Sequence, residues 1–382
     1  MWLSVPFGII IALICFSGAM LVFEDEIEEV AYRNIFFVNK TGQKPLPADI
    51  LIEKAEAALP DGVRVTGLTV FSDPDRCYRA DVSKPRRGAV YIDQYTGRVT
   101  GHYERLPFFK AMFGLHRWLL DTRPSDGGIF WGKLIVGVST LLFTVILITG
   151  VIIWWPRTAK NLRRKLAVKV SAGWYRFWYG LHTAGGIYAT AVLLILALTG
   201  LTWSFNWYRD GFYRLFGAET ARQPQKHGDG PKQSSGAGSH DPGRGDAAGA
   251  EKGRTASFAY AQRILDRMRN DNPGFGRISV SEGTASVYSG ETGNSRAADR
   301  YYFNTENGEP TGSALYADTE RAAKLRGWIY SVHVGSWGGS VTKTIVFLAA
   351  LLGAALPLTG YYLWIKRLLR KRRRAVYRTD KG

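Results

Sequence analysis

Long apolar runs alternate along this chain with stretches of mixed polarity. Four runs, at 6–23, 134–155, 186–205 and 342–365, carry almost no charge. Each is about 18–24 residues, enough to cross a hydrocarbon core of roughly 30 Å at about 1.5 Å per residue. The pattern predicts four transmembrane helices. The first run resembles a secretory signal in length. It has no basic segment before it, however, and Glu24-Asp25-Glu26 stands where a small-residue cleavage site belongs, so it reads as a retained span.

The stretches between the spans have structure of their own. After the first span, Ile50, Leu51, Ala55 and Leu59 fall at near-helical spacing within 47–59. Strand-like runs follow at 63–71, 77–82 and 89–93, then a turn at Tyr95-Thr96-Gly97. After the third span come a helix at 257–268, strands at 277–280, 285–288 and 300–304, and a turn at Glu306-Asn307-Gly308. Each stretch reads as a small α+β module. Residues 220–254 differ: they are rich in Gly, Ser, Pro, Asp and Lys and nearly free of large apolar residues, the composition of a disordered linker. His227 and His240 read as residues of that linker.

The two halves resemble each other, which marks an internal duplication. "VYIDQYTGRVTG" (90–101) pairs with "YYFNTENGEPTG" (301–312), and "FGLHRWLL" (113–120) with "IYSVHVGSW" (329–337). The spans close alike: "SGAMLVF" (17–23) with "TGLTWSF" (199–205), and "TGVIIWWPR" (149–157) with "TGYYLWIKR" (359–367). Each half is span, outer module, histidine, span. His182 stands 18 positions before Gly200; the same offset from Gly18 falls one residue ahead of Met1. The first half is therefore expected to lack an equivalent of His182, through an upstream start or a lost ligand.

Charge then fixes orientation. The formal net charge is +18, but it is concentrated beside spans. Arg157, Lys160, Arg163, Arg164, Lys165, Lys169 and Arg176 follow the second span, and Lys366, Arg367 and 370–374 follow the fourth. This is the positive-inside pattern, suited to anionic lipid headgroups, and it argues against nucleic acid as a partner. Both termini are expected in the cytoplasm, with the outer modules in the periplasm of a bacterial inner (cytoplasmic) membrane. The organisation reads as span 1–23, outer module 24–115, interfacial segment 116–132, span 133–155, basic loop 156–181, span 182–205, outer module 206–332, candidate ligand and span 333–365, and basic tail 366–382.

Three of the six histidines, His116, His182 and His333, sit at span ends. Ionisable residues there are functional candidates by default. His116 and His333 occupy equivalent places in the repeat at the outer face, and His182 lies at the inner face. Paired neutral imidazoles on facing helices are a way to hold haem iron. Arg117 and Lys343 are placed to meet haem propionates at the outer interface. Gly185, Gly186, Gly335, Gly338 and Gly339 would admit a flat macrocycle, and Trp118 and Trp337 would flank its edge. No Cys-x-x-Cys-His occurs, so the expected cofactor is non-covalent haem b, two per chain. Trp154, Trp155, Trp203 and Tyr361 are expected between the two haems or as interface anchors. Zinc is a second reading of the imidazoles, although no carboxylate or thiolate completes a zinc site. His102 reads as an ordinary exposed residue. Cys15, in a span, and Cys77, in an outer module, are not expected to bridge.

Two outer modules between four spans, with the "LHRWL" and "TGVIIWWPR" signatures, resemble the PepSY-associated transmembrane family, also described as iron-regulated membrane proteins. The resemblance covers nearly the whole chain outside 220–254. It implies an α-helical integral membrane protein with two periplasmic PepSY-like α+β modules. It further implies similarity to the family's di-haem ferric-siderophore reductases, with a siderophore of hydroxamate type. Electrons from a quinol or a cytoplasmic reductase are then expected to pass from the inner haem, at His182, to the outer haem, at His116 and His333. They would go on to Fe(III) in the periplasm. Members of the family carry a histidine at the head of the first span, so the second ligand of the inner haem is the point of departure. Two other functions stay open: a membrane-anchored PepSY regulatory or binding protein without redox chemistry, and a transporter, for which Pro357 is the one strong helix breaker within a span. No nucleotide-binding Gly-rich motif follows a strand, so the electron donor is expected to be a separate molecule.

Overall fold

The computed structural model describes the chain except for residues 1–3, 39–42, 86–87, 126, 157, 169–172, 220–257, 259, 291–292 and 380–382. The expected linker at 220–254, with His227 and His240, lies outside the described residues, as do Met1, Arg157 and Lys169.

The first apolar run forms α1 (Ser4–Val22), which ends at Phe23; the chain bends by 51° into α2 (Glu24–Ala31) and a short α3 (Arg33–Phe36). The first outer module is α4 (Ala48–Ala57) followed by β1 (Val65–Phe71), β2 (Tyr78–Val82), β3 (Ala89–Ile92) and β4 (Val99–Tyr103). Helix α5 (Pro107–Trp118) leads to α6 (Trp131–Trp154), the second apolar run. The basic loop carries α7 (Ala159–Leu166). Helix α8 (Trp174–Gly180) then runs through a π-helical turn, Leu181–Gly185, into α9 (Gly186–Ser204). The second outer module comprises α10 (Asn206–Leu215), α11 (Ala261–Asp271), β5 (Arg277–Ser281), β6 (Thr284–Tyr288), β7 (Asp299–Phe303) and β8 (Pro310–Ala314). Helix α12 (Arg321–Val334) and the long α13 (Gly339–Thr379) complete the chain.

Among the described residues, three helices are long and apolar enough to cross a membrane: Trp131–Trp154, Trp174–Ser204 and Ser336–Arg370; α1 with α2 makes a fourth if that bent pair is one span. Helix α1 packs along α13, α6 along α9, and α9 against α13. Their seam is small and apolar, with Ile11, Phe143, Leu147, Ala189, Leu193, Ala197 and Ala349 buried. The outward faces stay apolar as well. Ile152, Ile153, Val341 and Leu348 are all more than half exposed, which suits lipid and would be costly in water. The third apolar helix is longer than the run 186–205 suggested. It starts at Trp174, so His182 lies inside it, in the π turn, instead of at its head. Pro357 does not break the fourth: α13 passes through it without interruption.

The outer modules are joined. All eight strands form one antiparallel sheet in the order β4-β3-β2-β1-β5-β6-β7-β8, with β1 and β5 at its centre. Leu68 lies opposite Val280, and the hydroxyls of Thr69 and Ser279 meet at 2.8 Å across the junction. Helices α4 and α11 cover one face together. Leu51, Ile52, Ile264, Leu265 and Met268 pack onto Leu68, Val70, Ile92, Ile278 and Val280 in a single core. Each such side chain, fully buried, contributes about 1.5–3 kcal/mol. The two β3–β4 and β7–β8 turns are built alike. Asp93 Oδ1 accepts from the Tyr95 N–H at 2.9 Å and Asn304 Oδ1 from the Glu306 N–H at 2.7 Å; Gly97 (φ 73°) and Gly308 (φ 67°) take the left-handed position that follows. Strands β4 and β8 carried no strand signal in the sequence. They are the sheet's outer edges, β8 is exposed at all five positions, and their residues (VTGHY and PTGSA) show no apolar alternation.

Candidate functional site

The acidic run after α1 is the anchor of the helix that carries His116. Glu28 Oε1 accepts the Leu106 N–H at 2.9 Å, at the N-cap of α5, and its other oxygen accepts the Tyr103 hydroxyl. Burial and the neighbouring Glu28 charge push the Tyr103 pKa up, so this phenol keeps its proton and remains a donor. Arg105 forks onto Glu24, with Nη2 2.5 Å from Oε2. Pro107 then opens α5 at a position where its missing N–H costs nothing. The helix ends in two successive left-handed leucines, Leu119 (φ 53°) and Leu120 (φ 63°), a strained turn worth roughly 1–2 kcal/mol per residue. In the second half, Ser331 Oγ accepts the Ser295 N–H at 2.9 Å, and Gly327 lets the Asn294 side chain lie against α12. These contacts fix His333 two residues before the Gly335 cap.

The three span-end histidines share one construction. His116 Nδ1 is 2.9 Å from the carbonyl oxygen of Ile14 on α1, and its ring lies on Gly18. His333 Nδ1 is 2.9 Å from Thr199 Oγ1 on α9, with the ring on Gly200. His182 Nδ1 is 2.9 Å from Thr359 Oγ1 on α13, with the ring on Gly360. A Cβ would stand 2.8 Å from the imidazole Cε1 at Gly18 and 3.2 Å at Gly200, so close seating there depends on the missing side chain; at Gly360 the 3.4 Å separation is an ordinary contact.

These partners decide the tautomer. A carbonyl oxygen can only accept, so His116 carries its proton on Nδ1. The single proton of Thr199 already goes to the Ile195 carbonyl at 2.7 Å, and that of Thr359 to the Leu356 carbonyl at 2.9 Å. Both hydroxyls therefore accept from the ring, and His333 and His182 are also Nδ1–H tautomers. In each ring the Nε2 lone pair is left over, and no hydrogen bond among the described residues reaches it. An acceptor on one ring nitrogen that leaves the other free is an arrangement that metal-ligating histidines use.

The structure brings His116 and His333 together, with ring centres 6.1 Å apart and planes inclined by 53°. Two metal–nitrogen bonds of about 2 Å, plus the distance from each nitrogen to its ring centre, span about 6 Å. That separation is one that two imidazoles sharing a single metal ion would keep. Among the described residues no group of three or more His, Cys, Asp or Glu comes together. The chain offers two ligands where a structural zinc takes four, which suits a metal whose remaining positions are filled by a macrocycle.

The other predicted site residues fall as follows. Arg117 lies over the Phe113 and Trp118 rings, at 5.6 and 5.8 Å from their centres, beside the outer pair. Lys343 donates to Glu26 at 2.6 Å, which ties α13 to α2. Trp203 meets the His333 ring edge-on at 5.1 Å, whereas Trp118 packs on Phe113 and Phe130. Gly185 and Gly186 face Leu352 and Leu356, and Gly335 (φ 77°) caps α12; these serve packing and turns. His102 is exposed on the edge strand β4 and lines a shallow cavity of about 290 Å³. Cys15 and Cys77 remain free thiols in separate layers. The residues that sequence reading missed are the seats: Ile14, Thr199 and Thr359, with Gly18, Gly200 and Gly360. Their signal was present in the recurring Ser-Gly and Thr-Gly pairs.

A family model described as the PepSY-associated TM region matches residues 1–367. No curated protein sequence matches the chain at a significant level.

Proposed function

We propose that this chain, which belongs to the PepSY-associated transmembrane family, is a haem b oxidoreductase of a bacterial inner membrane that reduces ferric siderophores on the periplasmic side. The observation that carries this reading is the His116–His333 pair, 6.1 Å apart between ring centres, with both Nδ1 atoms engaged and both Nε2 lone pairs left over. His116 and His333 hold an outer haem, and His182 supplies one ligand to an inner haem. Haem bound at these positions supplies one-electron transfer. Every other part of the work falls to the chain. Carbonyl and hydroxyl acceptors orient the imidazoles and keep them neutral donors of a lone pair. The Glu24–Arg105 and Glu28–Tyr103 contacts tie the outer ligand helix to α2. The helical seam between the two levels is apolar.

Reduction suits the substrate's chemistry. Hydroxamate oxygens are hard ligands that hold Fe(III) far better than Fe(II). One electron from a quinol or a cytoplasmic reductase, delivered to the chelate, therefore releases the iron. The fold supports four spans built by duplication: α1, α5 and α6 correspond to α9, α12 and α13, and His116 on Gly18 corresponds to His333 on Gly200. Lys160, Arg163, Lys366, Arg367 and Arg370 beside the spans support cytoplasmic termini and a periplasmic sheet.

One feature favours a second reading, a membrane-anchored binding protein without redox chemistry. Strand β8 is an exposed sheet edge, open to pairing with an extended partner. Purified protein separates the two. A haem protein is red, takes up dithionite electrons, and converts a ferric hydroxamate to Fe(II) trapped by a ferrous-specific chelator. A colourless protein that leaves the chelate ferric favours the binding reading.

A further inference from the structure

The two faces of the shared sheet are finished differently. Helices α4 and α11 cover one of them along its whole width. The other is covered in the first half too. Phe36 lies 4.5 Å from Tyr91 between ring centres, and the Tyr103 hydroxyl donates to Glu28 on α2. Because α2 continues α1, that face is turned toward the spans. In the second half, counting back from the two like-built turns, Tyr302 stands where the first half has Tyr91, and Arg300 where it has Ala89. Tyr91 and Ala89 are buried, whereas Tyr302 is partly exposed and Arg300 exposed. Among the described residues no ring stacks on Tyr302. Helix α10 follows α9 as α2 follows α1, but its Tyr213 clusters with Ile329 of α12 and leaves the sheet face open.

This open half-face is polar and cationic. Ile278, Val280, Ala285, Val287 and Phe303 point into the core, so the residues between them point the other way. The register sets Ser279 beside Ser286 and Ser286 beside Arg300; in the next row, Ser281 lies beside Thr284 and Thr284 beside Tyr302. Arg277 lies opposite Tyr288, its guanidinium 4.1 Å above the ring centre. The hydroxyls are paired, Ser279 with Thr69 at 2.8 Å and Ser281 with Thr284 at 2.6 Å. Each pair spends one proton internally and keeps another to donate outward. Arg79 is paired with Asp81, but Arg277 and Arg300 have no acidic partner among the described residues. Asp299, next to Arg300, falls on the opposite side of β7 and accepts the Tyr316 N–H at 2.6 Å. The loop between β6 and β7 rests on α12, where the Ser295 N–H donates to Ser331 at 2.9 Å. Tyr288, Arg277 and Arg300 therefore gather at the end of the sheet that meets the helix of His333.

We infer that this half-face is the docking surface for the ferric chelate, and that it selects chelates of net negative charge, such as those built on catecholate or carboxylate oxygens. This rests on the ferric-chelate reading and narrows it. Arg277 and Arg300 pair with ligand oxygens, the spare hydroxyl protons donate to others, and Tyr288 and Tyr302 flank the ligand with their rings. A neutral or cationic hydroxamate chelate forgoes the charge-assisted bonds. Residues 220–257, outside the described residues, carry more Lys and Arg than Asp and Glu, so like charge opposes that segment as the occupant.

Gallium(III) carries the charge of Fe(III) but resists reduction, so it reads docking apart from electron transfer. Full-length protein in detergent is titrated calorimetrically with a gallium tris-catecholate, which is triply negative, and with a neutral gallium tris-hydroxamate. The anionic chelate is expected to bind about a hundredfold more tightly, as two charge-assisted contacts of about tenfold each supply, and added salt should narrow the gap. Arg277→Gln and Arg300→Gln should each weaken the anionic chelate about tenfold and leave the neutral one unchanged. Arg267→Gln removes the same charge from α11, on the covered face, where Arg267 pairs with Asp271; it should change neither affinity. Equal affinity for the two chelates, parent-like binding in both Arg277→Gln and Arg300→Gln, or an equal loss in Arg267→Gln overturns the docking surface. A colourless protein that still discriminates the chelates overturns the haem reading and leaves the surface standing; a red protein that does not discriminate does the reverse.

Discussion

Adding one methyl group at Gly18 tests whether the outer imidazole depends on its glycine seat. A Cβ at Gly18 would stand 2.8 Å from His116 Cε1 and 3.0 Å from Nδ1, where non-bonded carbon atoms settle at about 3.5–4.0 Å. The ring must then retreat by about 0.7 Å. That stretches the 2.9 Å bond to the Ile14 carbonyl and turns the ring relative to His333. Overpacking of this kind costs about 1–3 kcal/mol, whereas Gly→Ala in an unobstructed helix gains about 0.5–1 kcal/mol. The three seats, with Gly150 as an open reference, therefore rank themselves. The Cβ–Cε1 separation is 3.2 Å at Gly200, tight but adjustable, and 3.4 Å at Gly360, an ordinary contact; Gly150 is open. Alanine variants purified in one detergent, read by Soret and α-band absorbance and by thermal unfolding, should follow that order. Gly18→Ala should lose or broaden the outer-haem signal and lower the Tm. Gly200→Ala should do so more mildly, Gly360→Ala should resemble the parent, and Gly150→Ala should unfold slightly later. A Gly18→Ala protein with the parent spectrum and Tm, or a series in which Gly360→Ala is the most damaged, would refute the seating geometry.

Further outcomes follow from other contacts. His333→Ala and His116→Ala should each remove the outer-haem absorbance and spare the inner one, whereas His182→Ala should do the reverse; difference spectra at low temperature separate the two. Thr199→Val, which strips the acceptor from His333 Nδ1 without changing side-chain volume, should weaken outer-haem retention about 10–100-fold, and Thr199→Ser should restore it; equal haem loss rates in all three proteins would count against the assigned tautomer. Burial pushes the Cys77 thiol up to about 11 from 9.0, so iodoacetamide should leave it unlabelled at pH 8 until the protein unfolds. Because that pKa is raised in the folded state, its contribution to stability is present below about pH 9 and lost as pH climbs toward 11, which denaturant titrations at pH 8 and pH 10.5 should register as a lower midpoint at the higher pH. Leu265→Ala, in the core shared by α4, α11 and the sheet, should cost about 2–5 kcal/mol, and both outer modules should melt together since they share one sheet; separate transitions would contradict the joint core.

Much of this protein was legible in the sequence because the membrane imposes a coarse code. Runs of apolar residues long enough to span gave the apolar helices, and the repeated "TG" and turn motifs are the basis for proposing that the halves correspond. What escaped had physical reasons. β4 and β8 lie at sheet edges, where polarity alternates little; α5 is a short amphipathic helix packed on other helices, and α12 shows almost no apolar periodicity to read. The head of the third span was misplaced because Gly185 and Gly186 look like a boundary, whereas they sit at the junction of a π turn and an α-helix that run on as one. The sheet's unity was hidden because β1 and β5 are separated by about half of the chain and nothing in either strand names its partner. Among the candidate site residues, His116 and His333 come together as their equivalent positions suggested. The seats beneath them did not stand out, since Ser, Thr and Gly in a membrane helix usually serve packing and back-bonding.

The central claim is that His116 and His333 are the two axial ligands of one haem. Electron paramagnetic resonance of the ferric protein, purified after expression with abundant haem and compared with His333→Ala, tests it most directly. The account expects a low-spin bis-imidazole signal that disappears in the variant while haem from the inner level remains. Colourless protein, or a low-spin signal untouched by loss of His333, would contradict it.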